Sequence, residues 1–238
     1  MKCRILFLLL IAFCIICTAC SGNKPLKYET EEKVQTIEAK STKHIVPYIQ
    51  IKNCTDAELQ EKVNAILISA VADAFAKDQR EWAGISNMTV SVTCQTEEYL
   101  SVLHEIDLDN GSEFNKFGDG RIGITIDMKT GERIFLDHFI ENEEQLYEAM
   151  KTSAPTDSDF FVPVDMETAE KVFAAASMNE LEYLEKKEAE GYPAYANVVE
   201  SLAFKPSFYL TPMELVVVRD TYYLNDTFIP LDNEYLIH

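Results

Sequence analysis

The sequence predicts an α+β fold with a mainly antiparallel sheet, in which groups of strands flank several helices. β-rich segments lie on both sides of the helical segments, without the regular β-α-β alternation of a doubly wound sheet. Neighbouring β-rich segments are joined by short polar turns, which favours antiparallel hairpins. With 238 residues and 47% hydrophobic content, the chain can bury a core as one large domain or two small ones.

Residues 1–19 have the layout of a bacterial lipoprotein signal peptide. Two basic residues precede an apolar run over 5–16, and small residues follow that run. The segment Cys17-Thr18-Ala19-Cys20 resembles a lipoprotein cleavage site, with cysteine where leucine is usual. We therefore expect lipidation of Cys20 and a chain anchored to the extracytoplasmic face of the cell membrane. Secretion without a lipid, or an uncleaved anchor, would place the chain on the same side.

The charge of the chain argues against two classes of partner. There are 21 basic and 40 acidic residues, a net charge of −19. Removal of the leader, which contains two basic residues and no acidic ones, makes this about −21. Such a chain repels phosphate backbones and anionic headgroups, so we expect no nucleic-acid binding and membrane contact through the lipid. A cationic partner is favoured, and solubility alone is the other explanation of an acidic surface.

The N-terminal elements are predicted in the following order. Residues 20–33 lack periodic hydrophobicity, which predicts a tether. Over 34–51 apolar residues recur at partly alternating positions, which predicts one or two strands. Thr55-Asp56-Ala57-Glu58 has the pattern of a capping box, and the apolar stripe over 59–75 has the spacing of one buried helical face. Together these elements predict a strand-helix module over 34–86.

Residues 87–238 are predicted to form a C-terminal α+β domain. Two β-rich runs over 88–93 and 99–108, and a hairpin with arms over 122–128 and 133–136, predict a meander. Helices are predicted over 141–150, 166–176 and 179–189, and final strands over 207–210, 215–218 and 228–231. The helices of this domain therefore lie between two groups of strands.

Three segments of the C-terminal domain carry a family resemblance. They are DMKTGERIFLDHF over 127–139, FYLTPMELVV over 208–217 and IPL over 229–231. This pattern resembles the extracytoplasmic domain of lysozyme-sensing (RsiV-type) anti-sigma factors and the non-catalytic N-terminal region of peptidoglycan polysaccharide deacetylases. Residues 44–74 are similar to the smaller module that precedes this domain, so the resemblance covers nearly all of the mature chain.

The resemblance implies a binding or sensing module for a cell-envelope ligand. That ligand would be a cationic, lysozyme-like protein or peptidoglycan. Only four residues precede the apolar run, so we expect no cytoplasmic segment that could hold a sigma factor. We also expect no room after His238 for the catalytic domain that the deacetylases append. The sequence does not place the ligand-binding residues.

No catalytic, metal-binding or cofactor motif is evident. The histidines form no HExxH pair, and Cys54 and Cys94 lack CxxC spacing, so we expect no metal site. With Cys20 lipidated, Cys54 and Cys94 form one disulfide or remain buried thiols. The Asp137-His138 pair is interpreted as a polar strand end instead of an acid/base dyad.

The alternative function is a cell-wall glycan-modifying hydrolase of the deacetylase or glycosidase type. A glycosidase needs two carboxylates, and their spacing requires coordinates. The run over 107–113 has some features of a calcium loop, but its glycine comes one place early and Gly118 stands where the closing acid belongs. A hairpin turn explains that run better. We therefore expect a binding protein and not an enzyme.

Overall fold

The computed structural model describes residues 26–39, 42–76, 85–108, 120–153, 164–189, 205–219 and 226–237. In these ranges the chain forms four α-helices and nine strands in three antiparallel sheets, which confirms the predicted α+β class. Cys20 and the turn predicted at Asp109-Asn110-Gly111 lie outside the described residues.

The strands and helices follow one another in nearly the predicted order. The strands are β1 (Glu29–Ala39), β2 (Thr42–Lys52), β3 (Ile85–Gln95), β4 (Tyr99–Leu108), β5 (Gly120–Asp127), β6 (Glu132–Ile134), β7 (Ser207–Leu210), β8 (Glu214–Val218) and β9 (Asp226–Pro230). The helices are α1 (Ala57–Ala76), α2 (Glu143–Ser153), α3 (Met166–Ala176) and α4 (Glu180–Ala189), with a 3₁₀ turn at Leu136–His138. Strands β1–β2 form a ribbon, β3–β6 a four-stranded meander and β7–β9 a three-stranded meander.

The N-terminal boundary differs from the prediction. Strand β1 begins at Glu29, which pairs with Lys52, so residues 29–33 are strand and not tether. These residues show no alternation of apolar and polar side chains, because charged side chains line this end of the ribbon. Glu31 lies 3.0 Å from the Lys33 ammonium and 3.1 Å from that of Lys52. These cross-strand and same-strand ion pairs leave no hydrophobic signal in the sequence.

The start of α1 also differs in detail. Asp56, and not Thr55, caps the helix, because its Oδ1 accepts a 3.0 Å hydrogen bond from the Leu59 amide. Asn64, about two turns further on, is buried and faces β2. Its side chain accepts from the Ile51 amide at 2.7 Å and donates to the Ile51 carbonyl at 2.9 Å. Both groups of Ile51 on the outer edge of the ribbon are thereby satisfied.

The four-stranded meander is the middle layer of the molecule. Side chains alternate along its strands, so one face of β4 and β5 carries aliphatic residues that pack against α1 and β2. The core on this face is formed by Val46, Ile49, Ile51, Val63, Leu67, Ala70, Val71, Leu100, Val102, Ile106, Ile122, Ile124, Ile126 and Met128. A second core lies between β7–β9 and the helices α2 and α3.

The opposite face of β4 and β5 meets β7 through polar contacts. The Gly123 amide donates to Ser207 Oγ at 3.1 Å, and the Leu210 amide donates to Ser101 Oγ at 2.9 Å. A Cβ at Gly123 would lie 1.9 Å from the carbonyl oxygen of Phe208. Glycine therefore allows the two backbones to approach at this position.

Candidate functional site

The three helices of the C-terminal domain carry a large excess of negative charge. Segments 136–153 and 164–189, which contain α2, α3 and α4, have twelve acidic and four basic residues. Among the acids whose side chains the structure describes, eight are exposed: Asp137, Glu141, Glu144, Asp165, Glu167, Glu170, Glu182 and Glu185. We call α2, α3 and α4, with the residues that precede them, the acidic helices.

The exposed acids of α2 and α3 face outward because each of these helices buries only one side. In α2 the buried positions are Leu146, Ala149 and Met150, which follow the i, i+3, i+4 spacing of a single helical face. In α3 the corresponding positions include Ala169 and Val172. Helices α2 and α3 pack against each other and against the strands below them. The glutamates of both helices thus project from the side that faces away from the core.

Two of these acids form capping hydrogen bonds at helix starts. Asp165 accepts a 2.7 Å hydrogen bond from the Thr168 amide, and its contacts with Thr168 lower the pKa of Asp165. Asn179 and Glu182 form a reciprocal cap at the start of α4, with hydrogen bonds of 2.9 and 3.1 Å. A negative side chain in a first turn is also favoured by the helix dipole.

A buried ionic cluster holds the corner between α3 and α4. Glu180 Oε2 lies 2.5 Å from Arg133 Nη1, and Glu180 Oε1 lies 2.8 Å from Arg133 Nη2. Lys205 donates to the carbonyls of Ala175 and Met178 at 3.0 and 2.8 Å. Burial alone would raise the pKa of Glu180, but Arg133 and Lys205 outweigh it and lower that pKa. The cluster therefore fixes the acidic corner to β6.

A second charged cluster lies between the two meanders. The Arg121 guanidinium forms an ion pair with Asp226 on β9 and lies 3.4 Å from Glu105 on β4. Burial raises the pKa of Asp226, against the opposing effect of Arg121. Burial, followed by the nearby Asp226 carboxylate, raises the pKa of Tyr209 to about 12.

This second cluster is relevant to the hydrolase alternative, because the carboxyl groups of Glu105 and Asp226 both contact Arg121. A carboxyl group with a raised pKa beside an ionised one is a pattern used by glycosidases. However, only 5% of the Asp226 side chain is exposed and its Oδ2 is held by Arg121. A substrate therefore has no direct access to the Asp226 carboxyl group, and we interpret this cluster as a joint between the sheets.

The histidines examined in the sequence occupy separate environments. Asp137 and His138 are both exposed on the 3₁₀ turn, and His138 Nε2 lies 3.5 Å from the Tyr99 hydroxyl. His104 is buried in β4, and burial lowers its pKa to about 4. His44 lies on β2. These three histidines therefore lie on three different elements, which are β2, β4 and the 3₁₀ turn.

Cys54 and Cys94 are free thiols in the structure. Cys54 is half-buried beside the first core, and Cys94 is buried in the second. Burial raises the pKa of Cys94. Burial raises the pKa of Tyr28, and Cys94 and Cys54 each make a smaller contribution in the same direction.

Sequence reasoning missed both ionic clusters. Their members are far apart in the chain, since Arg133 and Glu180 are 47 positions apart and Arg121 and Asp226 are 105 apart. No local signal marks such pairs. The acidic helices could have been found by counting charge segment by segment, since their excess is visible in the sequence.

The described ranges lack two kinds of feature, a cluster of metal ligands and a helix suited to span a bilayer. No group of three or more His, Cys, Asp or Glu residues there is placed to hold a metal ion. In the same part of the chain, no helix combines the length and apolar character needed to span a bilayer.

Comparisons with known proteins give structural neighbours. A member of the DUF3298 family from Bacteroides fragilis NCTC 9343 is 11% identical, with a TM-score of 0.44 over 90% of this chain and 94% of that one. A DUF3298 family protein from Pseudomonas aeruginosa PAO1 is 12% identical, with a TM-score of 0.43 over 90% of this chain and 96% of that one. No protein-family model matches the sequence, and no curated protein matches it.

Proposed function

We propose that the protein is a lipid-anchored extracytoplasmic binding protein that captures a cationic, lysozyme-like protein of the cell envelope through its acidic helices. The lipid at Cys20 would hold the domain at the outer surface of the membrane. No chemical step is assigned to the protein in this proposal. Its sequence resemblance to lysozyme-sensing ectodomains agrees with such a role.

The observation that carries the proposal is the exposed excess of acid on α2, α3 and α4. The eight exposed acids of these two segments outnumber their four basic residues and produce a negative field on the side of the molecule away from its cores. A field of this kind raises the association rate of a basic protein and loses its effect as salt screens it. Binding of peptidoglycan, the other candidate ligand, would depend far less on salt, because it would rest on stacking and hydrogen bonds.

The test is a titration of the mature chain, with Cys20→Ser in place of the lipidated residue, against lysozyme. We expect binding at about 50 mM salt that weakens by roughly tenfold or more at about 300 mM. The same chain is incubated with peptidoglycan, and both sedimentation with the glycan and release of soluble fragments are measured. Absence of lysozyme binding, or binding that does not respond to salt, would contradict electrostatic capture. Fragment release would support the hydrolase alternative.

A pair of matched variants tests the location of the surface. Glu144→Lys with Glu170→Lys reverses two exposed charges on α2 and α3, whereas Glu32→Lys with Glu97→Lys makes the same change in net charge on β1 and in the β3–β4 turn. We expect the helix variant to lose about tenfold in affinity at low salt and the control variant to lose much less. Equal losses would mean that net charge alone governs binding. Melting temperatures of both variants check that the fold is kept.

A further inference from the structure

The first described residues of the chain are fixed to the body of the domain. We call Leu26–Tyr28 the N-terminal strap. The Thr55 amide donates to the Lys27 carbonyl at 3.1 Å. The Tyr28 hydroxyl donates to the Thr96 carbonyl at 3.0 Å, and Leu26 and Tyr28 are partly buried against the first core. The strap thus joins the β2–α1 loop to the β3–β4 turn.

The strap lies at one end of the elongated elements. The Met128 amide donates to the Glu98 carbonyl at 2.7 Å, and Lys62 near the start of α1 donates to the Thr130 carbonyl at 2.8 Å. The β3–β4 turn, the β5–β6 turn and the start of α1 therefore meet there. We call this the strap end. The opposite end, where Asn87 pairs with Asp107, is the far end.

The distance between the two ends follows from the length of β3. This strand runs from Ile85 to Gln95, so its eleven residues extend over about 35 Å at roughly 3.3 Å per residue. Helix α1 has twenty residues, which correspond to about 30 Å. Both elements run from one end to the other, and the two ends are therefore well separated.

The lipid-bearing residue is close to the strap in the chain. Leu26 follows Cys20 by six positions in the chain, and six residue steps span at most about 22 Å in any conformation. We propose that the anchored domain faces the bilayer with its strap end and directs its far end away from it. This inference rests on the proposed lipid anchor at Cys20. A flexible tether up to residue 33 would allow the domain to tumble, whereas the docked strap brings the fixed part of the domain to within six positions of the anchor.

The proposed orientation determines which surfaces of the molecule a ligand can reach. A bilayer would cover the β3–β4 turn with Glu97 and the β5–β6 turn. The sides and the far end of the domain, with Asn87 on β3, would stay open to envelope ligands. A partner would therefore approach the acidic helices from the side or from above.

The docking of the strap is tested first, by amide hydrogen exchange. We expect the Thr55 amide to be protected in the mature chain with Cys20→Ser, because it donates to the Lys27 carbonyl. In a chain that begins at Glu29 the same amide should exchange much faster, while the amides of β4 keep their protection. Equal exchange of Thr55 in the two chains would overturn the docked strap, whatever the state of the lipid.

The orientation is tested with the lipidated protein in vesicles of neutral lipid that contain an acceptor dye in the headgroup layer. An azide-bearing amino acid replaces Glu97 at the strap end or, in a second protein, Asn87 at the far end, and each receives the same donor dye. Energy transfer should be greater from position 97, since that site should lie roughly 30 Å closer to the membrane. A flexible Gly/Ser spacer of about twenty residues inserted after Asn23 should remove the difference.

The outcomes separate the inference from the proposed function. Protein that does not float with the vesicles contradicts the lipid anchor and, with it, the orientation. Protein that floats but transfers equally from both positions, or more from position 87, overturns the orientation and leaves the anchor intact. Floating protein with greater transfer from position 97 supports both.

Discussion

His104 is a titratable residue that lies buried in an apolar part of the structure. Its side chain is buried on the face of β4 that packs against the first core, where Leu100, Val102 and Ile106 are its neighbours along the strand. Nδ1 has no hydrogen-bond partner among the residues that the structure describes. Burial without such a partner disfavours the imidazolium, so the pKa of His104 falls from 6.5 to about 4.

This burial predicts a loss of stability in mild acid. Between pH 6.5 and about 4 the unfolded chain protonates His104 and the folded chain does not, so the free energy of unfolding falls as the pH drops. The loss should reach roughly 3 kcal/mol at pH 4, and it should be absent from His104→Leu. Urea denaturation of both proteins at several pH values measures it. His138→Gln, at an exposed site, should keep the wild-type slope, and an unchanged slope in His104→Leu would contradict the prediction.

At the scale of elements, the packing of β7 on β5 depends on the absence of a side chain. The meanders meet through Ser101, Ser207 and the Gly123 backbone, beside a small buried cluster of Leu103, Tyr209, Val216 and Val218. Ser101 Oγ also lies 2.9 Å from Thr125 Oγ1, so the hydroxyls are satisfied within the layer. This polar contact fixes the register between two sheets that are not hydrogen-bonded to each other as strands.

Gly123→Ala should therefore be more costly than most glycine substitutions. The added Cβ would meet the carbonyl oxygen of Phe208 at 1.9 Å and its carbon at 2.6 Å, and backbone atoms cannot move aside separately. We expect a loss of about 3 kcal/mol in the free energy of unfolding, measured in urea. Gly131→Ala is the comparison, since its φ is +68° and its Cβ would meet only the movable side chains of Leu59 and Lys62. It should cost about 1 kcal/mol, and a cost equal to that of Gly123→Ala would refute the argument.

At the scale of the whole molecule, the sequence predicted the elements far better than their contacts. The stripe that begins at Leu59 and the alternation over 122–128 are local patterns, and both correspond to observed elements. The start of β1 was missed because Glu29 to Lys33 are polar and make ion pairs, so no local hydrophobic pattern marks them. The joints between layers were also missed, since a buried charge can be recognised as paired only after a partner tens of residues away is in place. The acidic helices could be predicted only in part. Their charge can be seen in the local sequence, but their exposure depends on the packing of the second core.

The Arg133–Glu180–Lys205 cluster is the joint on which the arrangement of layers depends most. The side chains of Arg133, Glu180 and Lys205 are only 11%, 8% and 8% exposed, and they connect β6, the start of α4 and the segment that precedes β7. Glu180→Gln would leave two buried cations without a countercharge, which should cost about 3–5 kcal/mol. Glu167→Gln is the matched control, since Glu167 pairs with Lys171 at 2.6 Å on an exposed helix surface. This substitution should cost less than about 1 kcal/mol.

Arg133→Met combined with Glu180→Gln should cost clearly less than the sum of the two single changes, because the double variant leaves no unpaired arginine. Urea denaturation of the four variants gives the coupling energy, and additive losses, or a Glu180→Gln cost as small as that of Glu167→Gln, would show that the cluster does not hold the layers together.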